Sequence, residues 1–329
     1  MFPAHLPGPR AARHRGERPR PAGPMALAVG LGAVYLIWGS TYLGNRVALD
    51  SIPPLVATSA RFLAAALLLF AVAALWRGPA GLLLPRRQWT GVGASGLLMV
   101  GAGSALLALG QLYVPTGLTS LLVAGMPLWV LVLRLVVGPR PSPLAAVGVL
   151  GGVVGLALLF AVPTQGWHLG GMLLVVLSTM VWALGSTLSQ RLRMPADHLV
   201  GTGWQMLVGG LAVAVASVVS GELSGFRLAD VTGRSWLAWT YLMLVSTVVG
   251  FSVYTWLLRN APIQLASTYA YVNPVVAVLL GMMVLDESLS GRQVLAGAVV
   301  LASVALVIAR ERPRQPDGLP PGKTPVAPA

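Results

Sequence analysis

The sequence predicts an all-α integral membrane protein: ten transmembrane helices forming two inverted-topology five-helix repeats. Three observations predict this. Of 329 residues, 56% are hydrophobic and 9% charged, where a soluble domain carries about a quarter charged residues. Apolar runs recur along the chain from Ala26 to Ala309. Short stretches of the first half return in the second half at a consistent offset.

The runs fall at roughly 26–44, 54–76, 90–110, 115–137, 143–162, 169–190, 199–219, 236–259, 263–285 and 292–309. Each can cross an apolar layer of about 30 Å as a helix. Helices are the expected form because open sheet edges are not tolerated in lipid. Outside the runs, residues 1–24 hold six prolines and five arginines, and six prolines follow Val307. Both tails (1–24 and 310–329) are expected to be disordered. Met25 stands directly before the first run and is the expected initiator. A cleaved leader is not expected, because that run has spanning length and no small-residue cleavage site.

The charge balance reads as topology. Net charge is +13, but the basic residues gather between the runs, so no nucleic-acid partner is implied. With the N-terminus in the cytoplasm, ten spans return the C-terminus to the same side. Seventeen basic residues then lie inside, from Arg10 to Lys323, against four outside: Arg46, Arg227, Arg234 and Arg292. That excess orients the bundle with both termini cytoplasmic.

The internal matches are specific in position. "PTGLTSLLVAGMP" (115–127) lines up with "PIQLASTYAYVNP" (262–274), each with prolines twelve apart. "RFLAAAL" (61–67) resembles "QMLVGGL" (205–211) in pattern, and "GST" occurs at 39–41 and 185–187. The offsets all lie within 144–147 residues, in the same run order. Five spans per unit is an odd number, so the second unit enters the membrane inverted. Inverted units with a site between them are a recurring plan of secondary transporters. The expected units are 25–162 and 163–309.

"YLIWGSTYLGNRVAL" in the first run, "RF" in the second, the paired Pro-to-Pro segments and "LDESLSGRQVLAGAVVLASVALVI" (285–308) together resemble the EamA-type branch of the drug/metabolite transporter superfamily. The likeness covers residues 25–309. It implies a carrier in the cytoplasmic membrane that moves small solutes outward. It also implies acidic capping residues after the fourth and ninth runs. Asp286 and Glu287 fill the second place, while "GPRPS" (138–142) stands at the first.

Polar residues within the runs are the candidate site. In the first run Trp38, Thr41, Tyr42 and Asn45 share one helical face, and the sixth repeats the spacing with Trp182, Gly185, Ser186 and Ser189. The ninth has Gln264, Ser267, Thr268 and Tyr271 at the same intervals, followed by Asn273. Small and hydroxyl residues also mediate helix contacts in lipid, so Ser and Thr fit packing as well as cavity lining. Trp38, Tyr42, Asn45 and Tyr271 fit a cavity better, since bulky polar groups obstruct close packing. Gln205 and Tyr254 complete the set. The stripes place the first, sixth and ninth runs around the cavity. The resemblance adds the third, fourth and eighth and leaves the fifth and tenth peripheral. Pro127 and Pro274 remove backbone donors in symmetric positions and read as fixed kinks or as hinges. Gly148, Gly152 and Gly155 read as helix packing.

Arg61 stands about 12 Å inside the second run, at 1.5 Å per residue from Pro53. Facing lipid there would cost at least about 2.5–3.5 kcal/mol. None of the nine acidic residues lies within a span to pair with it. Three roles stay open: bonding to carbonyls and loop groups, meeting a substrate carboxylate, or snorkelling. The histidines also lie outside the runs, which disfavours a carboxylate- or histidine-based proton exchanger, an intramembrane protease and a metal enzyme. There are no cysteines. No cofactor or metal is expected.

Aromatic and amide groups around a neutral cavity with one cation suit amino acids or related zwitterions. Efflux of hydrophobic cations on the aromatic faces is the alternative. A non-transporting receptor or scaffold is the alternative of another class. The expected partners are a small-molecule substrate and the lipid bilayer, with the chain a monomer or homodimer. Single cysteines at Ser142 and Ser224 should be labelled by an impermeant maleimide from opposite sides, the first from the cytoplasm. Labelling of both from one side would contradict the topology.

Overall fold

Lipid offers backbone amides no water, so each apolar run must close its own hydrogen-bond ladder. In the computed structural model of the chain the described parts of the runs are helical. The structure describes residues 23–137, 143–161, 168–261, 265 and 268–310. In chain order the helices are α1 (Pro24–Ala48), α2 (Pro54–Arg77), α3 (89–111), α4 (116–137), α5 (Pro143–Phe160), α6 (Leu169–Ser189), α7 (His198–Val219), α8 (233–260), α9 (Tyr269–Leu285) and α10 (Gly291–Arg310). Among the described residues there is no strand. Eight helical stretches are long and apolar enough to cross a membrane, and the apolar helices Ala146–Phe160 and Tyr269–Leu285 are shorter. Most of the two tails, the 138–142 segment and Ser267 lie outside the described residues.

Several helices are interrupted where their sequences weaken the ladder. In α1 the break falls at Ser40, whose hydroxyl donates to the Leu36 carbonyl at 2.6 Å, an alternative partner for that backbone acceptor. In α4 it falls at Gly125, two residues before Pro127. Pro274 lies inside α9. Wider π-helical turns occupy 96–103 of α3 and 242–249 of α8.

Neighbouring helices pack where small residues allow it. α2 runs along α7 and α5 along α10, while α4 crosses α9. α3 lies against α6 and α7, and α1 against α8 and α9. Gly148 and Gly155 of α5 face Val307 and Val300 of α10, and Gly152 faces Leu128 of α4, the packing expected of that glycine stripe. The largest buried cluster joins α4, α5, α6 and α10 through Leu118, Leu122, Leu128, Leu159, Met172 and Val300. Phe62 and Leu69 of α2 meet Val100 of α3 and Met206 of α7 in another. Outward-facing residues such as Leu75, Val219 and Met283 are highly exposed, as a lipid-facing surface requires.

Carboxylates from the second half cap helices of the first. The first amides of a helix have no partner within it. Those of Leu55 and Val56 in α2 donate to Glu222 Oε2, at 2.9 and 3.3 Å. Those of Thr116 and Gly117 in α4 donate to Glu287 Oε1 and Oε2, at 2.7 and 3.0 Å. Each carboxylate also meets the positive end of the helix dipole. Near the opposite ends of these helices Asp197 caps α7 through the amides of Leu199 and Val200 and pairs with Arg77.

Gly281 makes room for one of these caps. A Cβ there would lie 2.4 Å from Glu287 Oε2. Gly281→Ala should therefore displace the carboxylate and lower stability by about 0.5–2 kcal/mol, as Glu287→Gln should. Thermal unfolding in detergent would check this. The double variant should lose less than the sum of the two, because both changes remove the same cap.

Candidate functional site

A pocket of about 230 Å³ lies between α1, α4, α9 and α10. Tyr42 of α1 forms one wall. Ser120, Val123 and Pro127 of α4 face Tyr269, Ala270, Asn273 and Pro274 of α9. Val307 and Ile308 of α10 close the remaining side. α10 was expected to be peripheral. It reaches this wall because its packing against α5 sets one edge between α4 and α9. No charged side chain among the described residues lines the pocket.

The helix breaks give the pocket its polarity. Proline has no amide hydrogen, so Pro127 cannot donate to the Val123 carbonyl, nor Pro274 to that of Ala270. Val123 and Ala270 both line the pocket. Asn273 is 7% exposed, and its Oδ1 has no hydrogen-bond partner among the described residues. Ser120 is turned away from this role, since its hydroxyl donates to the Gly117 carbonyl at 2.7 Å.

Behind the pocket stands an aromatic group. Trp38 of α1 packs against Tyr254 of α8 and Tyr269 of α9, both at 4.9 Å between ring centres. Tyr254 and Tyr269 meet edge-on at 5.4 Å. The Trp38 indole donates to the Ser246 carbonyl at 3.3 Å, and Thr41 shares a 2.7 Å hydrogen bond with the Ser246 hydroxyl. The polar face of α1 therefore couples to the π-helical stretch of α8.

Asn45 and Arg61 occupy a separate cleft. Arg61 Nη1 donates to Asn45 Oδ1 at 3.0 Å, and its guanidinium carbon lies 4.5 Å from the Phe62 ring centre. Trp239 and Leu242 of α8 cover the pair, in a space of only about 10 Å³. The Trp239 indole donates to the Ala57 carbonyl at 3.0 Å. This cleft has no room for a solute.

The remaining candidates are dispersed. Gln205 donates to Ser95 Oγ at 2.7 Å, between α7 and α3. Trp182 lies against Gly103 of α3. Ser186 and Tyr271 are half-buried and do not line the pocket. Tyr269 and Ser120 were absent from the sequence-derived site. On α9 the sequence stripe was phased on Tyr271, whereas Tyr269, Ala270, Asn273 and Pro274 face the pocket. The signal for the second phase was present, as Tyr269 and Asn273 stand four apart on one helical face.

The EamA-like transporter family matches the chain twice, over residues 25–161 and 169–309. The chain belongs to this family. The uncharacterized inner membrane transporter YedA of Escherichia coli is 35% identical over 283 residues, covering 84% of this chain and 88% of that one. Protein PecM of Dickeya dadantii is 27% identical over 277 residues, covering 83% and 88%. A solved crystal structure of 19% identity superposes with a TM-score of 0.59 over 88% of this chain and all of that one, and shares the fold. As an EamA-like chain with many apolar helices, the protein is a membrane transporter.

The buried contact between Arg61 and Asn45 has a measurable signature. Arg61→Gln should lower stability by about 1.5–3 kcal/mol, the range for a hydrogen bond to a charged group. Asn45→Leu should leave the guanidinium unpaired, and the double variant should lose less than the sum of the single losses. Additive losses in thermal unfolding would show that the two side chains do not act together.

Proposed function

We propose that this transporter carries small organic metabolites by alternating access, with amino acids and related zwitterions as the substrate class and export as the direction. The observation that carries this reading is the uncharged, aromatic- and amide-lined pocket between two proline-interrupted helices. Such a space suits a small polar organic solute, and Pro127 and Pro274 suit hinges that change its access. Tyr42, Tyr269 and Asn273 contact the solute. Trp38 and Tyr254 support the wall, and Arg61 with Asn45 holds α1 against α2.

In this reading all ten helices cross the membrane, as inverted units 25–162 and 163–309 with both termini cytoplasmic. The two π-helical stretches support the repeat, because they recur at the offset of the sequence matches. The packing of α2 on α7, α4 on α9 and α5 on α10 also supports it, being the self-pairing that a two-fold relation between units produces. The excess of basic residues supports the orientation.

Efflux of hydrophobic cations is favoured by one specific observation, the grouped rings of Trp38, Tyr254 and Tyr269. Proteoliposomes containing the purified chain should release preloaded labelled zwitterions in a saturable manner. Release of a quaternary ammonium ion alone would select the cation reading. Absence of flux for every solute would favour a receptor or scaffold.

A further inference from the structure

We infer that the pocket recognises its solute by the ammonium group, through a cradle of backbone and amide acceptors that the two prolines create. This rests on the transport reading above and names the chemistry that the same site selects.

Each acceptor arises independently. Pro127 leaves the Val123 carbonyl without its usual helical donor, and Pro274 does the same for Ala270. Both residues line the pocket. Asn273, more than nine-tenths buried, adds an Oδ1 that no described residue satisfies. A buried acceptor without a donor costs about 1–3 kcal/mol, so Asn273 Oδ1 gains from a ligand that donates, and the two carbonyls, each with two lone pairs, can accept beside it. An ammonium group carries three N–H donors and no acceptor. The Tyr42 and Tyr269 rings in the same walls add aromatic faces that attract a cation.

A carboxylate finds no cation among the described lining residues, only neutral donors such as the Asn273 amide and the Tyr42 hydroxyl. The Ser120 hydroxyl donates to the Gly117 carbonyl. The fork best suited to a carboxylate is the guanidinium of Arg61, and it lies in the other cleft, bonded to Asn45 and covered by Trp239. The pocket also exceeds what a bare ion fills, and apolar residues such as Val130 and Ile308 complete its wall. The ligand is therefore an organic amine whose carbon body lies against that apolar side.

Three probes of one carbon skeleton separate the groups: L-leucine, 3-methylbutylamine, which lacks the carboxylate, and 4-methylpentanoate, which lacks the ammonium. Binding to the chain in lipid nanodiscs is read by tryptophan fluorescence, Trp38 being packed on Tyr269. Leucine and the amine should bind alike, and the acid at least about tenfold more weakly. Asn273→Leu should weaken amine binding by about tenfold, and Asn273→Asp should retain it. Pro274→Ala restores a donor to Ala270, so it should raise the unfolding temperature while weakening amine binding. A role in helix bending alone does not link those two effects in an equilibrium binding assay.

The inference is overturned if 4-methylpentanoate binds as tightly as the amine. It is overturned equally if Asn273→Leu and Pro274→Ala, both folded, leave amine affinity unchanged. Should Asn273→Leu fail to fold, Pro274→Ala decides alone. Saturable flux of the acid without flux of the amine would sustain the transport reading and overturn the cradle. Amine binding without flux of any solute would sustain the cradle and remove the transport reading.

Discussion

Every backbone amide and carbonyl in the hydrocarbon layer must find a partner within the protein, and the main features of this structure depend on that constraint. It makes the apolar runs helical and governs where they can stop. It also makes each interruption informative. At Ser40 the backbone bonds to the Leu36 carbonyl and from the Gly44 amide persist, and the serine hydroxyl adds a second donor to Leu36. The break before Pro127 and the amide missing at Pro274 both fall beside the pocket, where Val123 and Ala270 stand in its wall. Interruptions of a ladder at membrane depth are tolerated where they line a cavity or are covered by protein, and these do so.

The same constraint explains how the two halves hold each other. Helix starts leave amides unpaired, and α2 and α4 satisfy theirs with carboxylates borrowed from the connections after α7 and α9. These contacts join residues that are far apart in sequence. The α2 start is further tied to the second half by Trp239 on the Ala57 carbonyl, and α1 by Ser235 on that of Val47. One end of α2 and α4 is thus closed by directed hydrogen bonds. At the pocket, by contrast, Ser120 Oγ reaches the Pro274 carbonyl only at 3.5 Å, beyond a strong hydrogen bond.

Arg61 shows how far composition alone can carry an interpretation. The lack of any acid within the spans established that it needed a neutral partner, and Asn45 on the neighbouring helix is one. Which role followed was open, because recognition of a solute and support of a neighbouring helix use the same donors. The small volume of its cleft separates the guanidinium from the pocket. Gln205, which the sequence match aligns with Arg61, is comparable: its amide donates to Ser95 where α7 meets α3.

What the sequence by itself determined is the class of architecture: helices throughout, their spacing, the doubled pattern and family membership. These follow from the number of apolar residues needed to cross a bilayer and from matches along one dimension. The capping role of Glu287 was legible in the same way, through a resemblance that covers its loop. Only the tertiary structure decided which faces meet. A helix of nearly uniform hydrophobicity has no polar side to reveal its inward phase, and in lipid an outward-facing leucine is as stable as an inward one. Tyr269 therefore replaced Tyr271 in the pocket wall, and α10 entered it. Glu222, in an unremarkable loop of the sequence, became the cap of a helix that begins 168 residues earlier in the chain.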